Sequence, residues 1–156
     1  MKATSAIPRS ISARAVVGAQ VAALPYRVMG SGVEILLVTT RRRRRWIVPK
    51  GWPMKGSSPC ADAAREAFEE AGVSGEIAEL PLGVFHYIKE MKHGVGVPCR
   101  VSLFPLKVTR QHRSWAEKAL RDTKWHPIGE AVTLVGEPEL KRLIMKFGAQ
   151  LSAPRN

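Results

Sequence analysis

Residues 51–73, GWPMKGSSPCADAAREAFEEAGV, constrain this chain more than any other stretch. A loop of glycine, proline and lysine runs as far as Ser58. Ser58 followed by Pro59 marks a helix start: the serine side chain caps free N–H groups, and proline takes the first helical position, where its missing N–H costs nothing. Gly72 marks the end, because glycine readily enters the left-handed conformation that closes a helix. The spacing predicts a helix over 59–71. At about 100° per residue, Asp62, Glu66, Glu69 and Glu70 share one face. Ala64, Ala67, Phe68 and Ala71 share the opposite one. A stripe of small residues lets the helix lie close against a sheet, and the acidic stripe then points away from that sheet, toward the glycine loop.

The acidic stripe sits in a strongly basic chain. Of 156 residues, 25 are Lys or Arg and 13 are Asp or Glu, a net charge of +12. Like charges one turn apart cost about 0.2–0.5 kcal/mol per pair. Arg65 can offset part of this by pairing with Glu69, but one arginine leaves three glutamates under-compensated. A hard divalent cation is the simplest counter-charge, since Mg²⁺ takes carboxylate oxygens and keeps waters that a phosphate can replace. A merely solvated acidic face is the competing reading. The glycine loop, the helix cap and the REAFEEAGV string occurring together favour the cation site.

The rest of the chain supplies strands around this helix. Residues 14–28 and 33–40 read as strands joined by the GSG turn, the second with a continuous apolar run that predicts burial on both faces. WIVP (46–49) is a short strand. Residues 82–91 and 98–108 form a hairpin around KHGVGV, and 123–128 is a last short strand. Residues 137–151 place Leu140, Leu143, Ile144, Phe147 and Leu151 at helical spacing. The order of strands and helices predicts an α/β sandwich with a mixed sheet between helices. The expected organisation is a flexible basic arm over 1–13, one domain over 14–151 and a tail over 152–156. No apolar run approaches the roughly 20 residues of a membrane helix. Two cysteines, Cys60 and Cys99, make no disulfide framework, so a reducing, cytoplasmic setting is expected.

The same residues resemble the box of the Nudix (MutT-like) hydrolase family, G-x5-E-x7-R-E-U-x-E-E-x-G-U with U aliphatic. Gly51, Arg65, Glu66, Glu69, Glu70, Gly72 and Val73 fall on their places. Ser57 stands where the family has its first glutamate, and Ala67 is smaller than the usual aliphatic residue. The resemblance implies a Nudix fold, an α/β/α sandwich, and hydrolysis of a diphosphate joined to another group. It implies metal ligation by Glu66, Glu69, Glu70 and the Gly51 carbonyl, with Mg²⁺ as cofactor and Mn²⁺ able to substitute. Glu69, Glu66 and Arg65 would carry catalysis, Arg65 by orienting the glutamates.

RRRRRWIVPKG (41–51) leads straight into the glycine loop. Its position assigns Arg44, Arg45, Lys50 and Lys55 to substrate phosphates. RWIVPKG before the box and EAGVSGEI after it resemble the diphosphoinositol polyphosphate phosphohydrolase branch, which also acts on diadenosine polyphosphates. That branch carries a triple glycine where this chain has Lys50-Gly51-Trp52. Glu117 is a further candidate base or ligand. The expected partner is a polyphosphorylated small molecule, with the protein a monomer or homodimer and no membrane involved. The alternative is a weak or inactive Nudix-fold protein that binds RNA or nucleotide through the arginine run.

Overall fold

The structure is a computed structural model that describes residues 18–153. The expected arm over 1–13, the start of the strand expected from residue 14, and residues 154–156 lie outside the described residues.

Strand β1 (Gly18–Met29) turns through Gly30, in the left-handed region at φ 58°, into β2 (Gly32–Thr39). Tyr26 pairs with Ile35 and Met29 with Gly32. The apolar run of β2 is buried as expected: Ile35, Leu36, Leu37 and Val38 are at most 3% exposed. The strand expected over 46–49 is two fragments, β3 (Trp46–Ile47) and β4 (Lys50–Gly51). Pro49 separates them, because a residue without an N–H cannot continue a ladder. Its carbonyl instead accepts the Ala23 amide at 3.0 Å.

Helix α1 (Pro59–Ala71) follows, then β5 (Val73–Ile77), β6 (Gly83–Glu90), a short 3₁₀ turn, β7 (Gly96–Gln111) and β8 (Thr123–Pro127). Two helices close the chain, α2 (Ile128–Leu134) and α3 (Pro138–Ser152). The eight strands form one sheet along the path β3-β2-β1-β7-β5, with β4 added on β1, β6 on β7 and β8 on β2. Among the described residues only β1 and β7 run parallel, from Gly18↔Cys99 to Tyr26↔Lys107. The sheet is therefore mixed, with those two strands central and buried through Ala22, Ala23, Leu24, Leu103 and Leu106, each 0% exposed.

Helix α1 packs on β1, β4 and β5, while α2 and α3 pack on each other and on β2 and β6. Leu140, Ile144 and Phe147 of α3 are buried as their spacing predicts, but Leu151 stays exposed. The ring of Phe147 meets Tyr26 edge-on at 4.8 Å. No helix among the described residues is long and apolar enough to cross a membrane.

Candidate active site

The ends of α1 are where the caps put them. The Ser58 side chain accepts the Ala61 amide at 3.3 Å, and Gly72 closes the helix at φ 68°, its amide donating to the Phe68 carbonyl at 3.0 Å. The helix phase differs from expectation. The small-residue stripe that packs inward is Ala63, Ala67 and Ala71, whereas Phe68 is 39% exposed and lies edge-on against His112. The acids do not point freely away from the sheet either: Asp62 is 0%, Glu66 9% and Glu70 5% exposed. The cause is β4. It pairs with β1 through Val21↔Gly51 and Ala22↔Lys50, which brings it against the acidic face of the helix. A Cβ on Gly51 would overlap the Glu66 carboxylate.

Arg65 organises this face. It donates to Asp62 Oδ1 at 2.7 Å, to Glu66 Oε2 at 3.2 Å and to the Trp52 carbonyl at 3.3 Å. Its Nε lies 3.7 Å from Glu69 Oε2, the i,i+4 pair expected from sequence. Glu70 has different partners. Its Oε1 accepts the Lys50 amide at 3.3 Å, and its Oε2 lies 3.5 Å from Arg121. Arg121 also holds Glu117 at 2.8 Å and donates to the Thr39 carbonyl at 3.1 Å.

A cleft of about 320 Å³ opens here. Glu66, Glu69, Glu70 and Glu117 line it with Gly51, Trp52, Lys50, Lys89, Arg121 and Gln20. Burial pushes the Glu70 carboxyl up to about 7, opposed by Arg121 and Lys50 and reinforced by Glu66 and Glu117. Burial also raises Glu66, against the pull of Arg65. Lys50 is lowered by burial, with Glu70 working against the shift and Lys89 and Arg121 adding to it; its ammonium lies 4.6 Å above the Tyr87 ring. For Asp62, burial is outweighed by hydrogen bonds from Ser57, Arg65 and the Met54 amide, and its carboxyl sits below the usual range.

Lys50 and Glu117 thus line the cleft with the three glutamates and Gly51, but Arg44, Arg45 and Lys55 do not. Arg44 turns to the 120–122 segment, donating to the Leu120 carbonyl at 2.9 Å and to Asp122 at 3.0 Å. Its backbone there is left-handed, at φ 55°. Arg45 is exposed in a turn fixed by Thr40, and Lys55 is exposed at the tip of the loop. Among the described residues, no three His, Cys, Asp or Glu side chains form a ready-made metal cage; the carboxylates are engaged by Arg65 and Arg121. Sequence reasoning missed Arg121 and Gln20. The E-x3-R spacing of Glu117 and Arg121, and one glutamine inside the apolar run of β1, were the available signals.

The family model for the NUDIX domain matches residues 18–147. The chain belongs to the Nudix hydrolase family. It is 32% identical to Nudix hydrolase 12, mitochondrial, of Arabidopsis thaliana over 140 residues, which cover 80% of this chain and 69% of that protein. It is 36% identical to diphosphoinositol polyphosphate phosphohydrolase 3-alpha of Mus musculus over 105 residues, covering 65% of this chain and 60% of that protein. A solved Ap4A hydrolase of C. elegans superposes with a TM-score of 0.62 at 25% identity, covering 86% of this chain and 98% of that one. The NUDIX domain of Shewanella oneidensis NrtR, solved with ADP ribose, shares the fold at a TM-score of 0.66 and 17% identity, covering 96% and 99%.

Proposed function

We propose that this protein is a Mg²⁺-dependent pyrophosphohydrolase that cleaves a diphosphate linkage in a polyphosphorylated small molecule. The observation that carries the proposal is the charge make-up of one cleft, which Glu66, Glu69 and Glu70 line together with Lys50, Lys89 and Arg121. Carboxylates alone would repel a diphosphate, and cations alone would bind without turning it over. The donor set suits a hard divalent cation, being all oxygen, and a cation would relieve the cost of charging the buried Glu66 and Glu70. Glu66, Glu69, Glu70 and the Gly51 carbonyl would hold it. When bound, it supplies neutralisation of the phosphoryl charge and activation of a water for in-line attack.

The chain's own residues do the rest. Arg65 fixes the carboxylates of Glu66 and Glu69. Glu69 is the most open of the three glutamates, its side chain 40% exposed, and this exposure supports a role for it in taking the proton of the attacking water. Lys50 and Lys89 bind the phosphates that stay. Arg121 keeps Glu70 and Glu117 turned inward. The named substrates of the relatives, diphosphoinositol polyphosphates and Ap4A, make that chemical class the first to try.

A phosphate-release screen with Mg²⁺ over dinucleoside polyphosphates, inositol pyrophosphates and nucleoside diphosphate sugars tests the proposal. Glu69→Gln should keep the fold and lower kcat by at least about 10²-fold, the usual loss for an acid–base group. Full turnover by a folded Glu69→Gln protein would reject its role.

A further inference from the structure

Asp62 is the one acid of this helix face that does not line the cleft, and it is the most completely buried. Its Oδ1 accepts from Arg65 Nη1 at 2.7 Å and from Ser57 Oγ at 2.5 Å; its Oδ2 accepts the Met54 amide at 3.1 Å. Both oxygens are thus used to join the 54–57 loop to Arg65. Of the four acceptors around Arg65, Asp62 lies closest. A buried carboxylate–guanidinium pair is a poor way to add stability, since apolar residues of similar volume often do as well or better. Beside Ala63 and Ala67 an apolar residue would have been the simpler choice. What Asp62 adds is a fixed direction for Arg65: without it, Glu66 and Glu69 are the charged partners left to the guanidinium among the described residues, and it is drawn toward them, into the cleft.

We infer that Asp62 is a positioning residue that anchors Arg65 and the 54–57 loop from within the helix. Ser57 is its side-chain partner in the loop. The Nudix pattern has glutamate there, and in this chain the position donates a hydrogen bond to a carboxylate instead of supplying one. This inference rests on the proposed pyrophosphohydrolase reading for its kinetic consequence, but its geometric content stands apart from it.

The test is a set of variants in the full chain. Asp62→Asn keeps the shape of the side chain, but it has one acceptor oxygen where Asp62 uses two, so it cannot accept from both Ser57 and the Met54 amide, and it offers Arg65 no charge. It should melt cooperatively, hold KM and lose about 10–100-fold in kcat, the usual cost of removing a supporting partner. Ser57→Glu alone sets two carboxylates on one guanidinium and removes a donor from Asp62, so it should lower activity. In an Asp62→Ala background the same Ser57→Glu change returns the carboxylate from the loop and should raise activity. A merely structural Asp62 would show no such reversal of sign. The Arg65 guanidinium Nη–H resonances, followed by NMR, should keep their positions in the double variant and shift in Asp62→Asn, where the Nη1 contact loses its charged partner. Wild-type kcat in Asp62→Asn, or an unchanged Arg65 resonance, would overturn the inference. So would a folded double variant no more active than Asp62→Ala. If Asp62→Ala does not fold, Asp62→Asn and the double variant decide. If wild type releases phosphate from nothing in the screen, the proposed function fails while the NMR arm still decides this point.

Discussion

A single methyl group tests how the cleft is built at the residue scale. Gly51 is not in the left-handed region, so its backbone would accept alanine; the nearest conflict is with the Glu66 carboxylate. Helix α1 cannot retreat, because Ala63, Ala67 and Ala71 seat it against the sheet. Glu66 must swing away instead. Gly51→Ala should therefore cost little in Tm but at least about 10-fold in kcat, the scale on which site support matters; steady-state kinetics beside a thermal melt separates the two. Glu70 gives a second prediction, in pH. Its folded pKa, about 7, stands above its ordinary value of 4.5 because of burial, so between the two the folded chain holds more proton than the unfolded one. Stability then falls as pH rises through that window, and Glu66, also raised, adds in the same direction. Metal-free protein should lose Tm from about pH 5 to about pH 7 by this linkage. Glu70→Gln should flatten the slope, and saturating Mg²⁺ should reduce it, a cation replacing the proton. A Tm that rises over that range in EDTA would refute the assignment.

Between elements, the decisive joint is the end of α1. The His112 amide donates to the Gly72 carbonyl at 2.8 Å, and the Glu117 amide to the Glu69 carbonyl at 3.0 Å. The 112–122 segment thus hangs from the helix, and this delivers Glu117 and Arg121 to the cleft. Gly72 adopts φ 68°, and a Cβ there would strike the Trp115 ring. Gly72→Ala should cost about 1–3 kcal/mol from the strained backbone, with more from the displaced ring. It should also lower kcat, because Arg121 loses its place; denaturant melts and kinetics together check this. The helix itself was legible in the sequence, since Ser58, Pro59 and Gly72 are local signals. Its joint with 112–122 was not, because nothing near Gly72 in sequence announces Trp115. Strand β5 was missed for a similar reason: VSGEI is short and half polar, and it is a strand because β7 pairs with it. Helix α2 was missed because IGEAVTL carries a glycine and β-branched residues, and packing on α3 and β2 outweighs those propensities. The inward turn of the acids depended on β4, which two residues of sequence could not foretell.

Across the whole molecule the excess of positive charge divides into two populations, and this separates an enzyme for small polyphosphates from a nucleic-acid binder. In the arginine run, Arg43 is tied to Glu90 at 2.7 Å and Arg44 to Asp122 at 3.0 Å, so both fasten the β2–β3 turn to neighbouring segments. Lys50 and Lys89 face the cleft instead. If the substrate is compact, Lys50→Ala and Lys89→Ala should raise KM by about 10-fold each, one charge-assisted contact apiece. Arg44→Ala should leave KM near wild type and act mainly on Tm. If the run were an RNA surface, every arginine replaced would weaken binding by a similar amount. Each lost phosphate contact would also reduce the slope of log K against log salt by about 0.7–0.9. The two patterns are read from one set of alanine variants, assayed for KM on the best substrate of the screen and for binding to a short single strand at several salt concentrations. The expected result is the first pattern. Glu66, Glu69 and Glu70 line the cleft that Lys50 shares, and without a bound cation they repel a nucleic-acid backbone that approaches it. Tight metal-independent binding, with a steep salt slope shared equally among Arg41–Arg45, would reverse the assignment.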